Sequence, residues 1–112
     1  MPIFTTASFR VRPESLEKCE RAIERFAERI RLEEPGTRVY LSLQDNAERT
    51  RFLHVMIFDD EEAEERHRHS PATQEFTTLL YPELMGGVDF HDYHLAGGAG
   101  VPADTKASSS SR

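Results

Sequence analysis

The sequence predicts an α+β fold: a ferredoxin-like, four-stranded antiparallel sheet with its helices on one face. Three observations predict it. Four short segments alternate in side-chain character with period two, the signature of strands. Between them lie segments whose apolar residues recur at spacings of three and four, giving the order βαββ(αα)β. Each helix has a single apolar face, so all the helices must cover the same side of the sheet.

The elements follow from particular residues. Ile3–Val11 places Ile3, Thr5, Ala7, Phe9 and Val11 on one side and Phe4, Thr6, Ser8 and Arg10 on the other. Pro13 fits the first position of a helix, with Glu14 and Glu17 in the turn where the helix dipole favours negative charge. Leu16, Cys19, Ile23, Phe26 and Ile30 form one stripe on this helix, which runs to Glu33 before Pro35-Gly36 stops it. Thr37–Gln44 is a second strand, with Val39, Leu41 and Leu43 opposite Tyr40 and Ser42. A polar loop opened by Asp45-Asn46 leads to a third strand, Phe52–Phe58.

Asp59 or Asp60 can cap a short helix ending near His69, and Ser70-Pro71 starts another by cap and pre-set φ. Phe76, Leu79, Leu80 and Leu84 give its stripe, which Pro82 kinks or frays before Gly86-Gly87 ends it. Val88–Leu95 is the fourth strand, of ambiguous facing: burying Val88 and Phe90 also buries Asp92. Residues 1–95 thus form one domain. Residues 96–112, rich in Gly, Ala and Ser without periodicity, are expected to be a disordered tail.

The helix-facing set is expected to be Ala7, Phe9, Val11, Val39, Leu41, Leu43, Leu53, Val55 and Ile57. The open face would carry Phe4, Thr6, Ser8, Tyr40, Ser42, Phe52, His54, Met56 and Phe58. Such a face is too apolar to stay wet, and a second copy's sheet across a two-fold axis would cover it. A pocket would remain between sheet and helices, or between the two sheets.

Composition narrows the function. The chain has 112 residues and a formal net charge of −6, with no basic stripe. Nucleic acid and anionic membrane surfaces are therefore not expected partners. The start, MPIFTTASF, has no basic region followed by an apolar run, and no segment is apolar enough to span a bilayer, so a cytoplasmic protein is expected. The single cysteine, Cys19, sits on the helix stripe as a small core residue. The close pairs His67/His69 and His91/His94 match no fixed metal signature, so neither metal nor cofactor is expected.

Leu53–Phe76 gathers imidazole, thioether and aromatic groups in an otherwise acidic, polar chain. Around it run Glu34-Pro35-Gly36, Tyr40, Phe58-Asp59-Asp60-Glu61-Glu62-Ala63, His67, Ser70-Pro71 and Phe76. On these residues the chain resembles the antibiotic biosynthesis monooxygenase-like domains of the dimeric α+β barrel superfamily, over roughly residues 3–95. The resemblance implies a homodimer that oxidises a phenolic, anthrone-like or quinol-like aromatic with O2 and no cofactor. Family members often have tryptophan or tyrosine at Phe58, glutamate at Met56 and a second histidine at Ala72. Members that degrade haem use a tryptophan, an asparagine on the first strand and an axial histidine. This chain has no tryptophan, and Thr6 and Ser8 stand on that strand's open face.

For such chemistry a base must take a phenol or carbon-acid proton, and imidazole titrates in the right range. His54 is the expected base, against the alternative of a histidine hydrogen-bonded across a dimer interface. His67, matching the family's helix histidine, and Tyr40 would hydrogen-bond substrate oxygens, or else serve packing and interface roles. Phe4, Thr6, Ser8, Ser42, Met56 and Phe58, with His91 and Tyr93 from the last strand, would line the substrate site. A non-catalytic ligand-binding dimer and a cofactor-free isomerase or cyclase are the alternatives on this fold.

Overall fold

The computed structural model describes residues 1–100. In chain order it contains β1 (Ile3–Arg10), α1 (Leu16–Glu33), β2 (Thr37–Gln44), β3 (Arg51–Phe58), α2 (Glu61–His69), α3 (Pro71–Leu80) and β4 (Asp89–Tyr93). The four strands form one antiparallel sheet in the order β2-β3-β1-β4, the ferredoxin-like α+β arrangement. The expected tail lies, from residue 101 on, outside the described residues.

Local chemistry explains the element ends. Pro13 opens a 3-10 turn, Pro13–Ser15, from which α1 continues. Cys19, Ala22, Ile23, Phe26 and Ile30 bury the face of α1. The Asp60 side chain accepts the Ala63 N–H at 2.8 Å to cap α2. Ser70 Oγ accepts the Thr73 N–H at 3.1 Å to cap α3. Pro82 does not kink α3; the helix ends at Leu80 and Pro82 sits in a following 3-10 turn, since it has no N–H for the ladder. Ala72, Phe76 and Leu80, spaced by four, make the buried stripe of α3, and Leu79, expected there, is exposed. Gly36 accepts the Asp59 N–H at its carbonyl. A methyl on Gly36 would lie 2.7 Å from the Ala63 Cβ, so glycine lets the start of β2 approach α2.

The facing of two strands differs from expectation. In β1, Thr5, Ala7 and Phe9, with Val11 just beyond the strand, are buried toward the helices as expected. In β3 the helix side carries Phe52, His54, Met56 and Phe58, and in β2 it carries Tyr40 and Ser42. The expected helix-facing set Val39, Leu41, Leu43, Leu53, Val55 and Ile57 lies on the other face of the sheet, where Ile57 is nonetheless buried. Register is the reason. Residues paired across neighbouring strands share a face, and Ala7 pairs with His54, Phe9 with Phe52, Ser42 with His54 and Tyr40 with Met56. The larger rings fill the depth beneath α1 and α3: Phe9 stacks on Phe52 at 5.5 Å and Phe26 on Phe76 at 4.2 Å. Leu41 and Leu43 remain about half exposed (50% and 48%).

β4 resolves as Phe90 and Asp92 on the helix side, opposite Ala7 and Thr5, with His91 and Tyr93 outward. Two apolar clusters fill the layer between sheet and helices. One centres on α1 and α3, the other on Ala7, Met56, Phe58 and Ala63, and Tyr40 and Val88 pack on both.

Candidate functional site

Where the two clusters meet, the packing leaves a cavity of 530 Å³. Its size suits a small ring system. Phe9, Phe26, Phe58, Phe76, Met56 and Leu80 give it apolar walls, and Tyr40, His54 and His67 interrupt them. Glu64, Arg68, Gln74, Phe90 and Asp92 also line it, the last four of them exposed.

β3 and β2 together place His54. The ring is 3% exposed. Its Nδ1 lies 2.9 Å from Tyr40 Oη and its Nε2 lies 2.9 Å from Ser42 Oγ. A neutral imidazole carries one N–H, so it donates to one hydroxyl and accepts from the other. Burial lowers the His54 pKa from 6.5 to about 4. Burial likewise pushes the Tyr40 phenol well above its ordinary value. The trio is therefore neutral at neutral pH.

α2 places His67. Its Nδ1 lies 2.7 Å from Glu34 Oε1, and both side chains are nearly closed off from solvent. Glu34 also accepts hydrogen bonds from Thr37 Oγ1 at 3.0 Å and Ser70 Oγ at 2.8 Å. Burial pushes its carboxyl up, but the hydrogen bonds and the adjacent imidazole outweigh burial and hold it below the usual carboxylate range. Thr73 Oγ1 donates to the His67 carbonyl at 2.6 Å, fixing the backbone as well. The His67 ring packs 5.1 Å from Phe58 and 5.7 Å from Phe26. Its Nε2 has no hydrogen-bond partner among the described residues, on a ring that lines the cavity. The result is a carboxylate-oriented imidazole with one nitrogen left for a ligand.

The expected residues divide by face. Tyr40, His54, His67, Met56 and Phe58 line the cavity together. Ser42 lies on the same side of the sheet but does not line this cavity; it hydrogen-bonds His54. Phe4, Thr6, Ser8, His91 and Tyr93 do not join them. They pair across β1, β3 and β4 on the outward face, Phe4 with Tyr93 and Thr6 with His91, because β1 turns its odd-numbered residues to the helices. In their place the structure brings Thr5, whose hydroxyl lies 3.1 Å from Asp92 Oδ1 and 3.4 Å from Glu64 Oε2. Glu34, Thr5, Phe90 and Asp92 were not among the expected site residues. The Glu34-Pro35-Gly36 motif was the one sequence signal for Glu34. Among the described residues, no three His, Cys, Asp or Glu side chains come together as a metal-binding group.

Comparison with known proteins bears on the family and the fold. Residues 2–79 match the family model described as antibiotic biosynthesis monooxygenase. No curated protein matches the chain. Among solved structures, a candidate antibiotic biosynthesis monooxygenase from Caulobacter crescentus superimposes with a TM-score of 0.80 at 17% identity, covering 86% of this chain and 91% of that one. A Mycobacterium tuberculosis protein gives 0.79 at 18% identity, covering 88% and 99%. A conserved Methanosarcina mazei protein gives 0.76 at 22% identity, covering 83% and 91%. Likeness at these identities is a likeness of fold.

Proposed function

Because the chain belongs to the antibiotic biosynthesis monooxygenase family, we propose that it is a homodimeric, cofactor-independent monooxygenase acting on a phenolic, anthrone-like or quinol-like aromatic. The observation that carries this reading is the His67 ring, which lines an aromatic-walled cavity, is backed by Glu34 at Nδ1, and has no hydrogen-bond partner at Nε2 among the described residues. Electron-rich rings reduce O2 directly once a proton is removed, and a base within the site supplies that step.

In this reading Nε2 of His67 takes the substrate's hydroxyl proton, and Glu34 stabilises the imidazolium through Nδ1–H. Tyr40 donates to the substrate oxyanion when His54 Nδ1–H in turn donates to it. The anion gives one electron to O2, and the two radicals join as a carbon–oxygen bond. The peroxide takes a proton, then loses water with the hydrogen on that carbon, leaving a carbonyl. One oxygen atom enters the product and the other leaves as water. The base falls to His67 rather than His54, whose two nitrogens are both occupied by hydroxyls and whose burial disfavours its protonated form.

The dimer is argued from the outward sheet face. Leu41, Leu43, Leu53 and Tyr93 are all substantially exposed there beside Phe4 and Val55. A second copy's sheet would bury this face through the same patch on both partners.

O2 uptake with a panel of anthrones and quinols, measured metal-free, tests the reading. Uptake above autoxidation is expected, and His67→Gln should lower kcat by about 10²–10⁴-fold. Turnover that persists without O2 would favour an isomerase instead. Binding with no product would favour a ligand-binding role.

A further inference from the structure

Between α1 and β2 lies a second cleft of 460 Å³, lined by Glu17, Glu20, Glu24, Arg21, Ser42 and Gln44 among others. Ser42 opens onto this cleft and Tyr40 onto the cavity, while His54, nearly fully buried, is hydrogen-bonded to both hydroxyls at 2.9 Å. The imidazole thus spans the wall between two solvent spaces, with a hydroxyl at each nitrogen. The ring packs edge-on against Phe9 at 4.9 Å and stacks on Phe76 at 6.1 Å, so its plane is fixed by apolar neighbours while its two nitrogens meet the hydroxyls.

We propose that Ser42, His54 and Tyr40 form a proton relay between the cavity and the acidic cleft beside α1. For inward transfer, Tyr40 gives its hydroxyl proton to an oxyanion in the cavity and takes the proton from His54 Nδ1. Nε2 takes the Ser42 proton, and Ser42 takes one from water in the cleft. Four protons each move one step; Tyr40, His54 and Ser42 stay neutral, the negative charge passes from the cavity oxyanion to a hydroxide in the cleft that solvent buffer neutralises, and the ring ends in its other tautomer. Outward transfer runs the same moves in reverse. One proton released and one taken up therefore restore the starting state. The shift never needs the imidazolium that burial disfavours. Ser42 and His54 act here through Tyr40, as positioning residues for the cavity.

The relay's use in turnover rests on the oxygenase reading, but the relay itself is readable without substrate. The test is solvent exchange of the His54 ring N–H, followed by NMR on the intact chain with nitrogen-labelled histidine. Ser42→Val removes the hydroxyl and fills its space, so water cannot replace it. Ser42→Thr has nearly the same shape and keeps the hydroxyl. Exchange should slow by about tenfold or more in the valine variant and stay near native in the threonine variant. Equal exchange in the two variants would overturn the relay. If the native protein turns over, Ser42→Val should also lower kcat with KM unchanged and raise the solvent isotope effect, with Ser42→Thr restoring both. Absence of native turnover would defeat the oxygenase reading while leaving the exchange result to decide the relay.

Discussion

His54, closed off from solvent between the Tyr40 and Ser42 hydroxyls, makes the fold sensitive to acid. Its pKa in the folded chain, about 4, lies below the ordinary 6.5, so the unfolded chain binds the proton first. Its contribution is complete above pH 6.5 and is lost as the pH falls through 4, amounting to about 3 kcal/mol across that window. Glu34, also held below its ordinary value, adds a loss in the same direction at lower pH. Thermal unfolding should show stability falling from pH 7 to 4.5, and His54→Gln should flatten that dependence. A His54→Gln variant with the native slope would place the sensitivity elsewhere. At this scale the sequence was informative about which residues matter and weaker about what each does. Tyr40, His54 and His67 do share one cavity. The roles of the two histidines depend on hydrogen-bond partners, Glu34 and Ser42, that lie 33 and 12 residues away.

Among the elements, the approach of β2 to α2 is what brings Glu34 to His67. Gly36 permits it, since a methyl there would press on the Ala63 Cβ, which has no torsion by which to move aside. Gly36→Ala should destabilise by about 1–3 kcal/mol through overpacking and loosen the Glu34–His67 contact. A lower melting temperature, with a shifted His67 ring resonance, would show both effects. The element boundaries were largely legible from caps, prolines and periodicity. Strand facing was not, because β3 alternates Phe, His and Met with Leu, Val and Ile, and both faces satisfy an apolar pattern. A one-residue choice of parity moves every side chain to the other face. That choice displaced Phe4, Thr6, Ser8, His91 and Tyr93 from the cavity and placed Leu41 and Leu43 outside. The pairing of Phe9 with Phe52 settles it, and such pairing is a long-range property that no single strand records.

At the scale of the whole molecule, the layered fold separates two surfaces. The helix side encloses the cavity, and the outward side of the sheet leaves Leu41, Leu43 and Leu53 between 40% and 50% exposed. In a two-fold dimer through that side, Leu41→Arg would bury a positive charge from each partner in an apolar interface. Sedimentation should then show a monomer at concentrations where the native chain is a dimer. A native monomer would remove the dimer from the account while leaving the cavity unchanged.

The most direct test of the central claim is turnover of an accepted anthrone or quinol under isotopically labelled O2, in metal-free buffer, with native protein and His67→Gln. The account predicts one labelled oxygen in the product, the other in water, and near-complete loss of labelled product in the variant. Product oxygen drawn from solvent, or labelling undiminished without His67, would contradict it.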